Sequence, residues 1–297
     1  MKKVSICIPA YNNALEVKRL LESIKIQDYI DFEVIISDDS NNQEIEEMIK
    51  EEYAGWVQYY HNKKALGHIY NWNKAISYAS GEYIKIMFSD DWFSEADSLG
   101  KLVGLLEDNP EVDFAFSGNF QVSSHNSYPR FADEEYIKIL RSDYRYLFIS
   151  NLIGAPSNTI YRRNAGALFD EKSNWASDVF LYFELLKTGK GFAYTKEPLI
   201  SIGIHDNQYT ESFGKKDKRI SNDYIYMFKK YKLIESEFCN RHLLENYLLP
   251  YYRGPIVAGK CGYKKGVYFC TLLNFWITDT LVPYAKAFLR KLKGKNR

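Results

Sequence analysis

Gly81-Glu82-Tyr83-Ile84-Lys85-Ile86-Met87-Phe88-Ser89-Asp90-Asp91-Trp92 is an apolar run that leaves a turn and stops on two adjacent carboxylates. The aromatic and branched residues from Tyr83 to Phe88 read as a short buried strand. Two neighbouring acids at its carboxyl end repel each other unless something positive lies beside them. In open α/β sheets, that end of the strands is also where ligands bind. A turn followed by a helix cap competes with this reading, because Ser94-x-x-Asp97 resembles a capping box. That alternative accounts for Ser94 and Asp97 but leaves Asp90 and Asp91 without a partner. The pair therefore marks a metal or phosphate site.

Upstream, the chain alternates strand and helix. Val4-Ser5-Ile6-Cys7-Ile8-Pro9 is a strand ended by proline, and Tyr11-Asn12-Asn13 is a polar loop. Leu15, Val17, Leu20, Leu21 and Ile24 then recur at helical spacing. Phe32 to Ser37 is a second buried strand, which also ends on paired acids, Asp38-Asp39. A helix through Ile45, Met48 and Ile49, a strand Val57 to Tyr60, and a helix from Gly67 to Ser80 capped by Gly81 complete the series. This rhythm is that of a parallel sheet flanked by helices. No GxGxxG follows the first strand, so a dinucleotide fingerprint is missing.

Downstream, the pattern predicts a helix over 95–108 and a strand over 113–116. The polar stretch 123–142 is expected to be an irregular, mobile insertion. A loop from Gly154 feeds a strand at Ile160-Tyr161, Ser177-Asp178 leads into a helix ending at Gly189, and two strand-like runs (192–194 and 199–202) precede His205-Asp206-Asn207. From Arg219 the pattern is helical and tyrosine-rich. The run of charges at 215–218 suggests a boundary there.

The bulk composition narrows the class. The 297 residues are 46% apolar, enough to bury a full core, and carry a formal net charge of +1. That charge excludes a binder of nucleic acid working by phosphate neutralisation over its whole surface. The 25 tyrosines suit wet clefts and interfaces. Four cysteines without paired spacing (Cys7, Cys239, Cys261, Cys270) point to a reducing, cytosolic setting. No apolar window reaches the length of a spanning helix, and the N-terminus has no signal-peptide pattern.

Taken together, these pieces resemble glycosyltransferase family 2, inverting enzymes of the α/β GT-A fold with its Rossmann-like, mostly parallel central sheet. The resemblance covers about residues 3–210. Val4 to Asn12 is similar to the family's opening strand and loop, Val34 to Ser40 to its nucleotide-contacting second strand, and His61 to Ala75 to the helix before the metal motif. Ser89-Asp90-Asp91 falls at the DxD-type motif, and Ser177-Asp178 falls where the catalytic acid residue sits. The implied organisation is a GT-A domain over 1–214, with a nucleotide-binding half (1–91) and an acceptor half (92–214), followed by a helical extension over 215–297.

The resemblance implies a nucleotide-diphospho-sugar donor, UDP-linked, and a divalent cation, Mn²⁺ or Mg²⁺. A cation neutralises the charge that grows on the diphosphate as it leaves. Asp90 is then the main metal ligand, with Asp91 beside it and His205 meeting the metal or diphosphate. Pro9, Ala10, Tyr11 and Asn12 line the nucleobase, Asp39 accepts from its imide N–H, and Asp38 is either a second contact or an Asx cap on the next helix. Ser89, Asn73 and Lys74 are further donor contacts. Asp178 is the general base that deprotonates the acceptor hydroxyl, its competing role being N-cap of the helix that follows. Two positions depart from the family pattern: Phe88 stands where an acid often contacts the donor ribose, and Ser177 where a glutamate often precedes the general base.

At the far end, Lys286, Arg290, Lys291, Lys293, Lys295 and Arg297, with Tyr284, Phe288 and Leu292 at helical spacing, read as a short basic amphipathic helix suited to an anionic membrane surface, the alternative being a core-packing helix with a frayed basic tail. The expected acceptor is a saccharide or lipid-linked saccharide in cell-surface polysaccharide synthesis, with the enzyme at the inner membrane face. The rival classes are a catalytically silent nucleotide-sugar-binding protein and a nucleotidyltransferase. The latter would need a glycine-rich basic loop after the first strand, and Tyr11-Asn12-Asn13-Ala14 supplies none.

Overall fold

The structure, a computed structural model, describes residues 3–205, 208, 213–214, 217–248, 259 and 265–277. The chain divides into two compact units, Met1–Ser212 and Phe213–Arg297.

The first unit is built on one mixed sheet. Strands β1 (Val4–Ala10), β2 (Phe32–Asp38), β3 (Val57–His61) and β4 (Tyr83–Ile86) pair in parallel in the order β3-β2-β1-β4. Every residue of β1 is buried. It takes the middle of this half because its Ile, Val and Cys side chains tolerate cover on both faces. Helices α1 (Ala14–Lys25), α2 (Glu44–Glu52) and α3 (His68–Ser77) make the crossovers. Val17, Leu20, Leu21 and Ile24 give α1 a continuous buried stripe.

Beyond β4 the sheet changes direction. β8 (Thr159–Arg162) runs antiparallel to β4 and to β6 (Phe114–Val122), β9 (Ala193–Gly203) lies parallel to β6, and β5 (Trp92–Phe93) pairs antiparallel with β9. Helix α4 (Ser98–Glu107) precedes β6, and α6 (Ser177–Leu186) precedes β9. Apolar residues from Val4 to Ile202 form one core cluster across both halves.

Four local expectations are corrected. The stretch 123–142 is ordered into β7 (Ser127–Arg130), which pairs with β6, and α5 (Glu134–Ser142), capped by Asp133 accepting from Tyr136 N–H. The two strand-like runs before His205 are the single strand β9, with a register irregularity opposite Gly118 where backbones approach closely. The Ser94–Asp97 capping box does not form, because the Ser94 hydroxyl engages that of Ser201 at 3.0 Å while Ser98 Oγ accepts from Glu95 N–H. Gly81 is no helix cap; α3 ends at Ser77 with Tyr78 as its C-cap, and Gly81 packs directly on the backbone of β1.

The second unit is helical in its described part: α7 (Lys218–Lys230), α8 (Glu237–Leu243) and α9 (Lys265–Trp276). Asp217 and Ser236 cap α7 and α8, and Tyr224 stacks on Tyr247 at 4.0 Å. The basic amphipathic segment over 283–297 lies outside the described residues.

Candidate active site

The carboxyl ends of β1, β2 and β4 converge. Asp38 is fully buried: its Oδ1 accepts from the amide and hydroxyl of Ser40, and its Oδ2 accepts from Tyr59 Oη at 2.6 Å. Burial and this hydrogen bond push the Tyr59 phenol well above its ordinary value. With both oxygens used and no face open, Asp38 forms the Asx turn into the following segment. Asp39 holds the entry of α3, accepting from Leu66 N–H at 2.8 Å, Gly67 N–H at 2.8 Å and Asn62 Nδ2 at 3.1 Å. The Leu66 N–H is shared with the second oxygen at 2.9 Å, so each carboxylate oxygen takes two contacts. The carbonyl of Ala10 takes Asp39 N–H and Asn71 Nδ2, whereas the Tyr11 ring is 56% exposed beside it. Asn12 adopts a left-handed φ of 51° and clamps Asn41 N–H and Ser40 Oγ, and Pro9 is buried.

The two acids of the 88–91 turn point to different environments. Asp90 Oδ2 lies 3.2 Å from His205 Nε2, and both side chains are partly open. Asp91 is 2% exposed; its Oδ1 accepts from Gly203 N–H at 3.2 Å and it is hydrogen-bonded to Ser157. Burial and the neighbouring Asp90 charge push Asp91 well above the usual carboxylate range. Lys85, fully buried on β4, donates to the Ser157 carbonyl, and burial lowers its ammonium to about 7. Asp91 thus anchors the turn from inside, and Asp90 alone presents its carboxylate on the His205 side. Arg19 steadies the same turn from α1, donating to the Asp90 carbonyl at 2.7 Å with its guanidinium 3.9 Å from the Trp92 ring centre. Asn13 Nδ2 donates to Ser89 Oγ.

Asp90 and His205 fit a divalent cation preferring oxygen and nitrogen ligands. Their 3.2 Å separation is close to the ~3 Å edge of an octahedron with bonds of about 2.1 Å. Among the described residues no group of three or more His, Cys, Asp or Glu converges. The remaining coordination would fall to diphosphate oxygens and water.

Phe88, in place of an acid, packs its ring on Trp72 at 4.7 Å, and Trp72 meets Phe169 at 4.9 Å. Asn73 is consumed here too: its amide donates to Phe169 O and accepts from Phe169 N–H, both at 2.9 Å. Lys74 is exposed, with its ammonium 4.8 Å from the Tyr78 ring centre near the end of α3. Asn73 thus ties α3 to Phe169 through both ends of its amide, and Lys74 lies on the exposed face of the helix.

Asp178 lies in the first turn of α6, whose cap position is Ala176. Its Oδ2 accepts from Asn151 Nδ2 at 2.7 Å, and its Oδ1 accepts from Val179 N–H. Burial pushes the carboxyl up to about 6, and those hydrogen bonds together with the Arg130 charge hold it from rising further. The N-cap position belongs to Ala176, and burial outweighs the Val179 bond that lowers the Asp178 carboxyl. One loop links the two acid centres: Asn151 touches Asp178, while Ser157 Oγ accepts from Phe88 N–H at 3.0 Å.

The family profile described as "Glycosyl transferase family 2" matches residues 5–167, more than half of the chain. The chain belongs to glycosyltransferase family 2. Abequosyltransferase RfbV of Salmonella typhimurium is 30% identical over 76% of this chain and 73% of its own length. An uncharacterized glycosyltransferase of Methanocaldococcus jannaschii is 28% identical over 80% of this chain and 82% of its own. Among solved structures, S. aureus TarS 1-349 in complex with UDP-GlcNAc superposes with a TM-score of 0.62 at 17% identity, covering 84% of this chain and 74% of that one. The mannosyltransferase PcManGT of Pyrobaculum calidifontis, with GDP-Man and Mn2+, gives a TM-score of 0.56 at 14% identity, covering 96% and 83%. The fold is the mixed α/β fold of GT-A glycosyltransferases.

For this family 2 enzyme, sequence reading passed over Arg19, Lys85, Arg130, Asn151 and Ser157. Lys85 carried a signal, a lysine inside an otherwise apolar strand. The others are ordinary polar residues in helices, hairpins and loops, and only the tertiary structure brings them to the acids.

Proposed function

We infer that this family 2 glycosyltransferase is a metal-dependent, inverting enzyme that moves a sugar from a UDP-linked donor to a saccharide or lipid-linked saccharide of a cell-surface polysaccharide. The observation that carries the reading is the separation of roles between two acid centres linked by one loop. Asp90 is paired with His205 and open, whereas Asp178 is held at about 6. Asp90 and His205 would hold a divalent cation, which supplies charge stabilisation for the departing diphosphate. Asp178 accepts the proton of the acceptor hydroxyl as its oxygen attacks the anomeric carbon and the bond to the diphosphate breaks on the opposite face. Tyr11 covers the nucleobase, and Asp39 is the proposed acceptor for its imide N–H, in exchange for part of its shared bond to Leu66.

The neighbours' ligands support the donor class: UDP-GlcNAc for TarS, and GDP-Man with Mn2+ for PcManGT. The acceptor class is supported by a Campylobacter jejuni relative, 28% identical over 31% of this chain and 30% of its own, named a glucosyltransferase acting on GalNAc(5)-diNAcBac-PP-undecaprenol. No described helix is long and apolar enough to cross a membrane. Contact with a membrane surface is supported by Phe269, Leu273, Trp276 and Ile277, exposed at helical spacing along α9 and just past its end.

The test is a panel of UDP- and GDP-sugars with Mn²⁺, scored by release of nucleoside diphosphate. Release from a UDP-sugar that chelator abolishes is the expected result. Release equally fast with chelator present would overturn the metal role, and release from GDP-sugars alone would overturn the choice of uracil as nucleobase.

A further inference from the structure

Asn151 is the side chain that touches the carboxylate of Asp178, and its own orientation is held with little freedom. Its Oδ1 accepts from Gly154 N–H at 3.2 Å and its Nδ2 faces Gly154 O at 3.4 Å, so one residue's peptide groups secure both ends of the amide. This fixes which end is nitrogen and leaves an amide proton for Asp178 Oδ2 at 2.7 Å. The loop carrying Asn151 is in turn tied to three separate elements. Arg130 Nη2, from β7, donates to Asn151 O at 3.1 Å. Tyr136, from α5, donates its hydroxyl to Ser150 O at 2.9 Å and accepts from Leu152 N–H at 3.2 Å. Tyr182, from α6, donates to Gly154 O at 2.9 Å. Gly154 has φ of +86°, and a Cβ there would lie 2.7 Å from Asn158 Nδ2, so the loop closes only with glycine at this place.

We propose that Asn151 is the positioning residue for Asp178, and that Arg130 and Tyr136 make it so by fixing the 150–154 loop. This rests on the assignment of Asp178 as general base. Strand β7 and helix α5 together then buttress the loop that aims the base. The charged and titratable groups facing Asp178 are Arg130 from β7, Tyr182 from α6 and, through Tyr182, Tyr136 from α5. Arg130 alone among them is cationic. A hydrogen bond to the ionised carboxylate favours that form, so removing Asn151 must raise the pH at which Asp178 loses its proton.

The experiment reads Asp178 directly, with protons as the only ligand. Full-length protein carrying ¹³Cγ-labelled aspartate is titrated by NMR, and the Asp178 signal is identified by its loss in Asp178→Asn. The wild-type midpoint is expected near about 6. In Asn151→Ala it moves up by roughly one unit. Arg130→Gln moves it the same way by less, while Arg130→Lys stays near wild type. Should Asn151→Ala fail to fold, Arg130→Gln decides the matter. Folded variants that melt lower but leave the midpoint unmoved would overturn the proposal, since that is the behaviour of a purely structural loop. The base assignment fails separately, if Asp178→Asn retains full nucleotide-sugar turnover.

Discussion

Asp178 carries the heaviest chemical demand in the proposed reaction. A base acts only when deprotonated, so kcat/KM is expected to fall as pH drops through about 6. Asp178→Asn should lower turnover by about a hundred- to ten-thousand-fold with donor binding retained, as measured by calorimetry with UDP-GlcNAc and Mn²⁺. The same shift has a stability consequence. The folded-state carboxyl is raised from 3.8 to about 6, so its contribution is fully present below the lower value and is lost as pH rises through the higher one. Asp178→Asn is therefore expected to melt above wild type at pH 7.5 and level with it near pH 4, read by thermal denaturation. Asp38, Asp39 and Asp91 are buried and accept hydrogen bonds within the protein, several from distant elements, and Asp90 alone of the four acids faces His205.

At the scale of elements, β9 delivers two things to the candidate site. Its last residue, Gly203, meets Asp90 backbone to backbone, and the chain beyond it carries His205. A Cβ on Gly203 would lie 2.5 Å from the Asp90 carbonyl oxygen. Gly203→Ala is expected to displace the 88–91 turn, costing about 1–3 kcal/mol of stability and weakening metal-dependent donor binding more than tenfold; a denaturation midpoint and a calorimetric titration measure the two effects. The parallel strands and their helices were legible because their apolar runs and stripes are long and regular. The β7–α5 segment was not. Ser127, Tyr128 and Pro129 are all exposed, so β7 carries no alternating pattern, and the helical spacing of Tyr136, Ile137 and Leu140 in α5 is short and set among charged residues.

At the scale of the molecule, every residue assigned to donor, metal or general base lies in the Met1–Ser212 unit, which holds its own sheet and core cluster. A chain ending at Ser212 is expected to keep a cooperative melt and to bind UDP-GlcNAc with Mn²⁺ within about threefold of the full chain. Loss of binding in a folded truncation would assign the second unit a part in the donor site. The sequence alone determined the class of fold and the residue types of the site. Strand periodicity and crossover lengths restrict a chain to few topologies, and a diphosphate leaving group demands acids at strand ends. Which acid faces outward was decided only by tertiary structure. So was the partnership of Asp178 with Asn151, which lies 27 positions away. Hydrogen bonds between loops of different elements depend on packed backbone geometry, and no local pattern in the chain encodes that.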